Sequence, residues 1–240
     1  MRTVLHLSAP LGAALCVLTF ACSDASGQST LFNTPSTDVV PKGSVYVEMD
    51  FVSHLADHAE GGFQTYAPRV VVGLGGRTEV GANVTFTDAL AGDQPVEFQP
   101  NVKFKVYDGG DNGGAASIGG VLYTSVANGE GTDTFGLVYA NASKKVSGRY
   151  GPRVTGGAYG LVGREDGLGS RGGAMLGFEQ PLHRRVAFVA DWFSGKNRFG
   201  YVTPGLGVAL PKGQVFYAGY SVGNEGRRNN SLFIYYGVTF

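Results

Sequence analysis

The stretch Glu97-Phe98-Gln99-Pro100-Asn101-Val102-Lys103-Phe104-Lys105-Val106-Tyr107 carries the reading that decides the fold. Successive side chains of a β-strand point to opposite faces, so Phe98, Val102, Phe104 and Val106 share one side. Glu97, Gln99, Asn101, Lys103, Lys105 and Tyr107 share the other. One face is apolar and the other is charged, which is what a sheet between two different environments requires.

The same alternation extends in both directions. Val80, Ala82, Val84 and Phe86 alternate with Glu79, Gly81, Asn83 and Thr85, and Val202, Leu206, Val208 and Leu210 with Tyr201, Thr203, Gly205 and Gly207. At the end of the chain, Leu232, Ile234, Tyr236, Val238 and Phe240 alternate with Phe233, Tyr235, Gly237 and Thr239. Units of about ten alternating residues, each closed by a Gly/Asn/Asp/Pro cluster, recur every 15 to 20 residues or so, with no helical periodicity after Gly43. The pattern predicts strands near 44–53, 63–74, 78–88, 96–107, 115–126, 134–145, 152–162, 171–180, 185–194, 199–210, 214–223 and 231–240. Each unit of strand plus connection has roughly 16 residues, and a tilted strand needs about 9 to 11 of them to cross a bilayer.

Composition chooses between a soluble sandwich and a membrane barrel. Only 16% of residues are charged, and glycine supplies 39 of 240. A solvated outer face would carry more charge, so the mixed polar and small-residue face reads as an interior and the apolar face as lipid-facing. In lipid every strand edge must be paired, so the sheet must close. The expected fold is therefore all-β: a closed antiparallel transmembrane β-barrel of about 12 strands, spanning 44–240. An even number of strands puts both ends on one side. Gly75-Gly76-Arg77, Pro181-Leu182-His183-Arg184 and Pro211-Lys212-Gly213 form short turns on that side. The connections His54 to Gly62, Ala127 to Asp133 and Asn224 to Asn230 are external loops, none long enough to fold deeply into the lumen.

The first 27 residues read as a signal peptide. Arg2 precedes an apolar run from Leu11 to Phe20, too short for a membrane-spanning helix, and small residues follow at Ala21, Ala25, Ser26 and Gly27. Leu18-Thr19-Phe20-Ala21-Cys22 is a distorted lipobox, so lipidation at Cys22 competes with cleavage near Gly27. Residues 28–43, polar and interrupted by Pro35 and Pro41, are expected to form an irregular lead-in on the periplasmic side. The signal and the barrel together point to a bacterial outer membrane.

Several functions fall away. With 19 Lys+Arg against 19 Asp+Glu, the chain lacks the basic footprint of a nucleic-acid binder. Both cysteines lie in the leader, leaving no thiol nucleophile or cysteine metal site, and no cofactor is expected. His54, Asp57, His58 and Glu60 sit in the first external loop, where a helical turn would give the two imidazoles metal-ligand spacing; the plainer reading is a solvated pair, and no metal site is assigned. A lipid-modifying hydrolase would need a rim serine beside a histidine, such as Ser53, Ser125, Ser194 or Ser221 with a loop His, but nothing in the spacing selects a pair. Trp192 reads as an interfacial anchor. No catalytic residue is assigned.

Several short motifs add a resemblance. Residues 34–43 (Thr34-Pro35-Ser36-Thr37-Asp38-Val39-Val40-Pro41-Lys42-Gly43), Gln99-Pro100-Asn101-Val102-Lys103, Asp191-Trp192-Phe193-Ser194-Gly195, Gly219-Tyr220-Ser221-Val222-Gly223-Asn224 and Tyr235-Tyr236-Gly237-Val238-Thr239-Phe240 resemble the outer-membrane barrel family named for the meta pathway of phenol degradation. The resemblance implies a barrel with a transport role and supplies no catalytic residue. The terminal strand, with Tyr236, Val238 and Phe240, also resembles the signal read by the outer-membrane assembly machinery.

The expected function is a pore or transporter for small solutes, with passive diffusion through a polar, tyrosine-lined lumen. The candidate lining is Glu48, Asp50, Arg69, Glu79, Lys103, Lys105, Asp191, Tyr107 and Tyr201, with Tyr46, Tyr123, Tyr217 and Tyr235 also inward. These charges either set a selectivity field or fill a narrow barrel with internal ion pairs. A plugged structural or surface-interaction barrel and a lipid-modifying enzyme are the alternatives. The expected partners are outer-membrane lipid, the assembly machinery and an unidentified small solute, with the protein monomeric.

Overall fold

The computed structural model describes residues 30–88, 94–110, 113–127, 133–164, 166, 168–226 and 230–240. The expected signal peptide and Cys22 lie outside the described residues. Twelve strands close into one antiparallel barrel: β1 (Val45–His54), β2 (Phe63–Gly73), β3 (Thr78–Asp88), β4 (Val96–Asp108), β5 (Gly114–Ala127), β6 (Phe135–Lys145), β7 (Arg153–Val162), β8 (Gly172–Pro181), β9 (Val186–Phe193), β10 (Tyr201–Leu210), β11 (Gln214–Gly223) and β12 (Ser231–Thr239). Each strand pairs with its neighbours in sequence, and β1 closes on β12 from Tyr46↔Thr239 to Ser53↔Leu232. Pairing thus continues around the whole wall, and no edge is left for a bilayer to desolvate.

The outer wall is apolar. Val47, Val70, Val102, Phe104, Ile118, Val138, Leu176 and Leu206 are all exposed, as a lipid-facing band requires. Trp192 also faces outward near the external rim, donating its indole N–H to Asn224 Oδ1 at 3.1 Å. Tyr236 and Phe240 are exposed on the same outer face.

Two corrections to the sequence reading concern the lumen. Tyr107 does not line it. A bulge between Lys105 and Tyr107 makes Lys105 pair with Ser117 and Tyr107 with Ala116. The extra residue, Val106, breaks the period of two, and Tyr107 falls on the opposite face from Lys105 with 53% of its surface exposed.

The second correction concerns residues 28–43, expected as an irregular lead-in on the periplasmic side. Their described part, from Thr30 onward, runs inside the barrel. Leu31, Phe32, Thr34, Ser36, Thr37, Val39 and Val40 are buried. Thr30 and Pro35 form an isolated antiparallel bridge that ties a tight turn at mid-barrel, from which the chain returns through Pro41 to β1 at the periplasmic mouth. The segment is irregular, as expected, because a lumen walled by side chains offers no strand edge to pair with.

Candidate functional site

The lumen divides along the barrel axis. Its periplasmic half is filled by the N-terminal segment, which side chains from several strands hold along its length. At the turn, the backbone N–H groups of Phe32, Asn33 and Thr34 donate to one oxygen of Asp191 on β9, at 3.1, 2.6 and 2.6 Å. Successive N–H groups converging on one anion form a backbone nest, and here the protein supplies its own anion. The Tyr235 hydroxyl donates to the Leu31 carbonyl at 2.8 Å, and Asn141 Nδ2 to the Pro35 carbonyl at 2.6 Å. Thr37 Oγ1 and Ser143 Oγ share a hydrogen bond of 2.6 Å.

Nearer the periplasmic mouth the contacts become ionic. Arg153 pairs with Asp38 at 2.5 Å and donates to Thr37 Oγ1 at 2.6 Å. Lys103 Nζ lies 2.9 Å from Glu79 and donates to the Asp38 carbonyl at 2.7 Å, while Glu79 accepts the Val40 N–H at 2.7 Å. The barrel's internal ion pair therefore also fastens the plug. Lys105 pairs with Asp108 at 3.1 Å at the rim.

Apolar contacts complete the fit. Phe32 meets Tyr217 edge-on at 5.9 Å and lies against Phe233 and Tyr235 at 5.6 and 6.2 Å. Its ring occupies space left by two glycines: a Cβ on either Gly205 or Gly219 would collide with it. Leu31 takes the corresponding space over Gly177. Burying side chains of this size contributes about 1.5–3 kcal/mol each, enough to offset the ordering of a short irregular segment only when the hydrogen bonds are also satisfied.

Above the plug lies a cavity of about 370 Å³, lined mainly by the external halves of the strands. One wall carries Asp50, Thr65, Arg69, Asn83, Thr85 and Gln99, and the other Tyr123, Leu137, Phe193, Phe199 and Tyr201. Thr30, Phe32 and Asn33 of the plug also line it and close it toward the periplasm. The β9–β10 connection, which the sequence did not single out, sends Arg198 and Phe199 inward. Arg198 makes a bidentate pair with Glu97, with both N–O distances 2.8 Å, and its guanidinium lies 5.2 Å from the centre of the Tyr123 ring. Burial opposes its charge, but the hydrogen bonds and charge of Glu97 outweigh this and raise its pKa above the ordinary guanidinium value.

The expected lumen residues are thus brought together unequally. Asp50, Arg69, Glu79, Lys103 and Tyr201 line the cavity. Glu48 is buried against Arg69, at 3.2 Å, and accepts a hydrogen bond from Tyr46. Asp191 is buried by the plug, and Lys105 stands at the periplasmic rim. The sequence reading missed the apolar sector of the lumen. Phe135, Leu137, Tyr139, Tyr159, Leu161, Met175 and Phe193 form one buried cluster. Strands β6 to β9 carry apolar residues on both faces, so alternation there gives no sign of which side is inside.

His54 and His58 do not share a helical face. His54 closes β1, with Nδ1 2.5 Å from the Asn230 carbonyl and its ring stacked on Phe63, whereas His58 opens a single 3-10 turn, His58–Glu60. Ser194 Oγ accepts the Ala174 N–H at 2.7 Å and ends a strand. Among the described residues, no serine hydroxyl is hydrogen-bonded to a histidine.

No protein-family model matches the chain, and no curated protein does. Solved structures do. The KdgM porin, solved in complex with disordered oligogalacturonate, aligns with a TM-score of 0.53 and 9% identity over 82% of this chain and 98% of that one. An outer membrane channel from Pseudomonas putida F1 aligns with a TM-score of 0.51 and 14% identity over 84% of this chain and 97% of that one. At these identities the likeness is one of fold: the chain has the architecture of bacterial outer-membrane β-barrels.

Proposed function

We propose that the protein is an outer-membrane channel for small solutes, exported by its signal peptide and acting without catalysis. Solute enters from the external side, and the protein's own N-terminal segment controls passage toward the periplasm. The observation that carries this reading is the cavity of about 370 Å³ above the plug, which is large enough for a small organic molecule and combines an aromatic wall with convergent polar groups. Such a space serves no purpose in a barrel that only needs filling. The resemblance to the family named for the meta pathway of phenol degradation favours the same role. In this reading Phe240 and the outward residues Tyr236 and Val238 serve assembly.

The plug favours a second reading, a closed barrel with a structural or surface role. Conductance and liposome swelling of the folded full chain, beside an Asp191→Ala variant, separate the two. A channel gives low or flickering conductance that rises when Asp191 no longer holds the turn. Barrels that insert but stay sealed in both forms would overturn the proposal and leave the structural role.

A further inference from the structure

In the cavity wall and immediately behind it, four carboxyl groups, Glu48, Asp50, Glu79 and Glu97, stand among three cations, Arg69, Lys103 and Arg198. Three charge pairs account for most of these: Arg69 with Glu48 at 3.2 Å, Lys103 with Glu79 at 2.9 Å, and Arg198 with Glu97 at 2.8 Å. Each cation is already committed, Arg69 to Thr30 Oγ1 as well and Lys103 to the Asp38 carbonyl. Asp50 is left. It lines the cavity, its Oδ1 is buried without a hydrogen-bond partner among the described residues, and its side chain contacts the Glu48 carboxyl. Two carboxyl groups therefore share one guanidinium, and the second negative charge needs either a proton or a cation to be tolerated at this depth.

The surroundings suit a cation with an apolar body. Across the strands Asp50 pairs with Ala67, whose small side chain adds little bulk beside it, and Asp50 lines the cavity. Tyr123, Phe199, Tyr201 and Phe233 line the same cavity. Aromatic faces attract ammonium groups, and a carboxylate set among them is a common way to recognise one. The Asn83, Gln99 and Thr85 side chains supply hydrogen-bonding groups that add no further charge.

We propose that this cavity binds small organic ammonium compounds, with the cationic nitrogen at Asp50 and the apolar body against the aromatic wall. The inference rests on the cavity serving as the solute site of the proposed channel, and it names the class of solute. Binding requires no passage through the plug, so it can be tested apart from conductance.

The test titrates the folded full chain in detergent at neutral pH with cyclohexylammonium, cyclohexanol and cyclohexanecarboxylate, three probes of nearly the same shape and different charge. The ammonium should bind about tenfold or more tightly than the alcohol, and the carboxylate more weakly than either. Asp50→Asn should abolish the preference for the ammonium, while Asp108→Asn, at the periplasmic end and away from the cavity, should preserve it. Equal affinity for ammonium and alcohol would mean that a proton holds the Asp50 site, and would overturn the proposal. So would retained preference in Asp50→Asn, or tightest binding of the carboxylate. If Asp50→Asn does not fold, judged by loss of heat-modifiable migration, the comparison of the three probes on the unaltered protein decides. A sealed bilayer alongside selective ammonium binding would refute the channel and leave the site standing.

Discussion

The two halves of the lumen treat buried charge differently. In the periplasmic half, Asp191, Arg153, Asp38, Glu79 and Lys103 are each engaged by the plug or by one another. In the external half, Arg198 and Glu97 close on each other, but Asp50, which lines the cavity, and Arg164, over the Phe135 ring, keep buried polar atoms without a hydrogen-bond partner among the described residues. A buried polar group costs free energy unless it is hydrogen-bonded, so the lower half is built for closure and the upper half keeps an unspent interaction. One barrel wall thus supports a seal and a vestibule, differing in what fills the space rather than in the sheet.

Substitutions can break this contrast, beginning with the sealed half. Lys103→Ala removes a cation partner of Glu79, a carboxylate 1% exposed that also fastens Val40. The expected loss is about 3–5 kcal/mol in denaturant unfolding of the folded barrel. A loss as small as that of a surface pair would mean that water reaches this level and that the seal is loose. The adjacent outer position tests the wall itself. Val102→Arg places a cation near mid-strand on the lipid side and should cost about 2–4 kcal/mol in the same measurement. A silent replacement would reverse the assignment of faces.

Asp191→Ala attacks the plug without touching the wall. Three backbone donors lose one acceptor, for an expected destabilisation of about 1–3 kcal/mol and faster protease cleavage within residues 30–40. Unchanged protection would show that the apolar seat of Phe32 suffices. Arg198→Ala in the vestibule should cost about 1–2 kcal/mol, less than Lys103→Ala, because Arg198 is itself 38% exposed and Glu97, though 7% exposed, keeps a hydrogen bond from Gln99. A loss comparable to that of Lys103→Ala would mean that the vestibule is as firmly closed as the seal. The smallest effect on stability is expected from Phe240→Asp, whose exposed ring lies at the end of β12; its readout is assembly, as loss of heat-modifiable migration of membrane-extracted protein.

The wall was the legible part. Alternation located β3 and β11 at both ends, at 78–88 and 214–223, and the other strands to within about two residues. It placed Glu48, Arg69, Glu79 and Lys103 inward because each alternates with outward residues that are mostly apolar. It failed at Tyr107, where one bulged residue shifts the face and nothing in Lys105-Val106-Tyr107 announces the bulge. It assigned no inward residue on β6 to β8, and on β9 only Asp191, because both faces there are largely apolar.

The amino-acid sequence by itself determined the barrel. A period of two with one apolar face is a local property of the chain, and the need to pair every strand edge in lipid turns that local property into a closed sheet. The plug and the cavity it leaves were decided only in the tertiary structure. Residues 30–41 are held largely through their backbone N–H and C=O groups, by Asp191, Tyr235, Asn141, Lys103 and Glu79. Every residue carries such groups whatever its side chain, so a segment recognised through them leaves almost no trace in sequence. For the same reason, which carboxylates are satisfied by the plug and which one is left at the cavity wall follows only from where that segment lies.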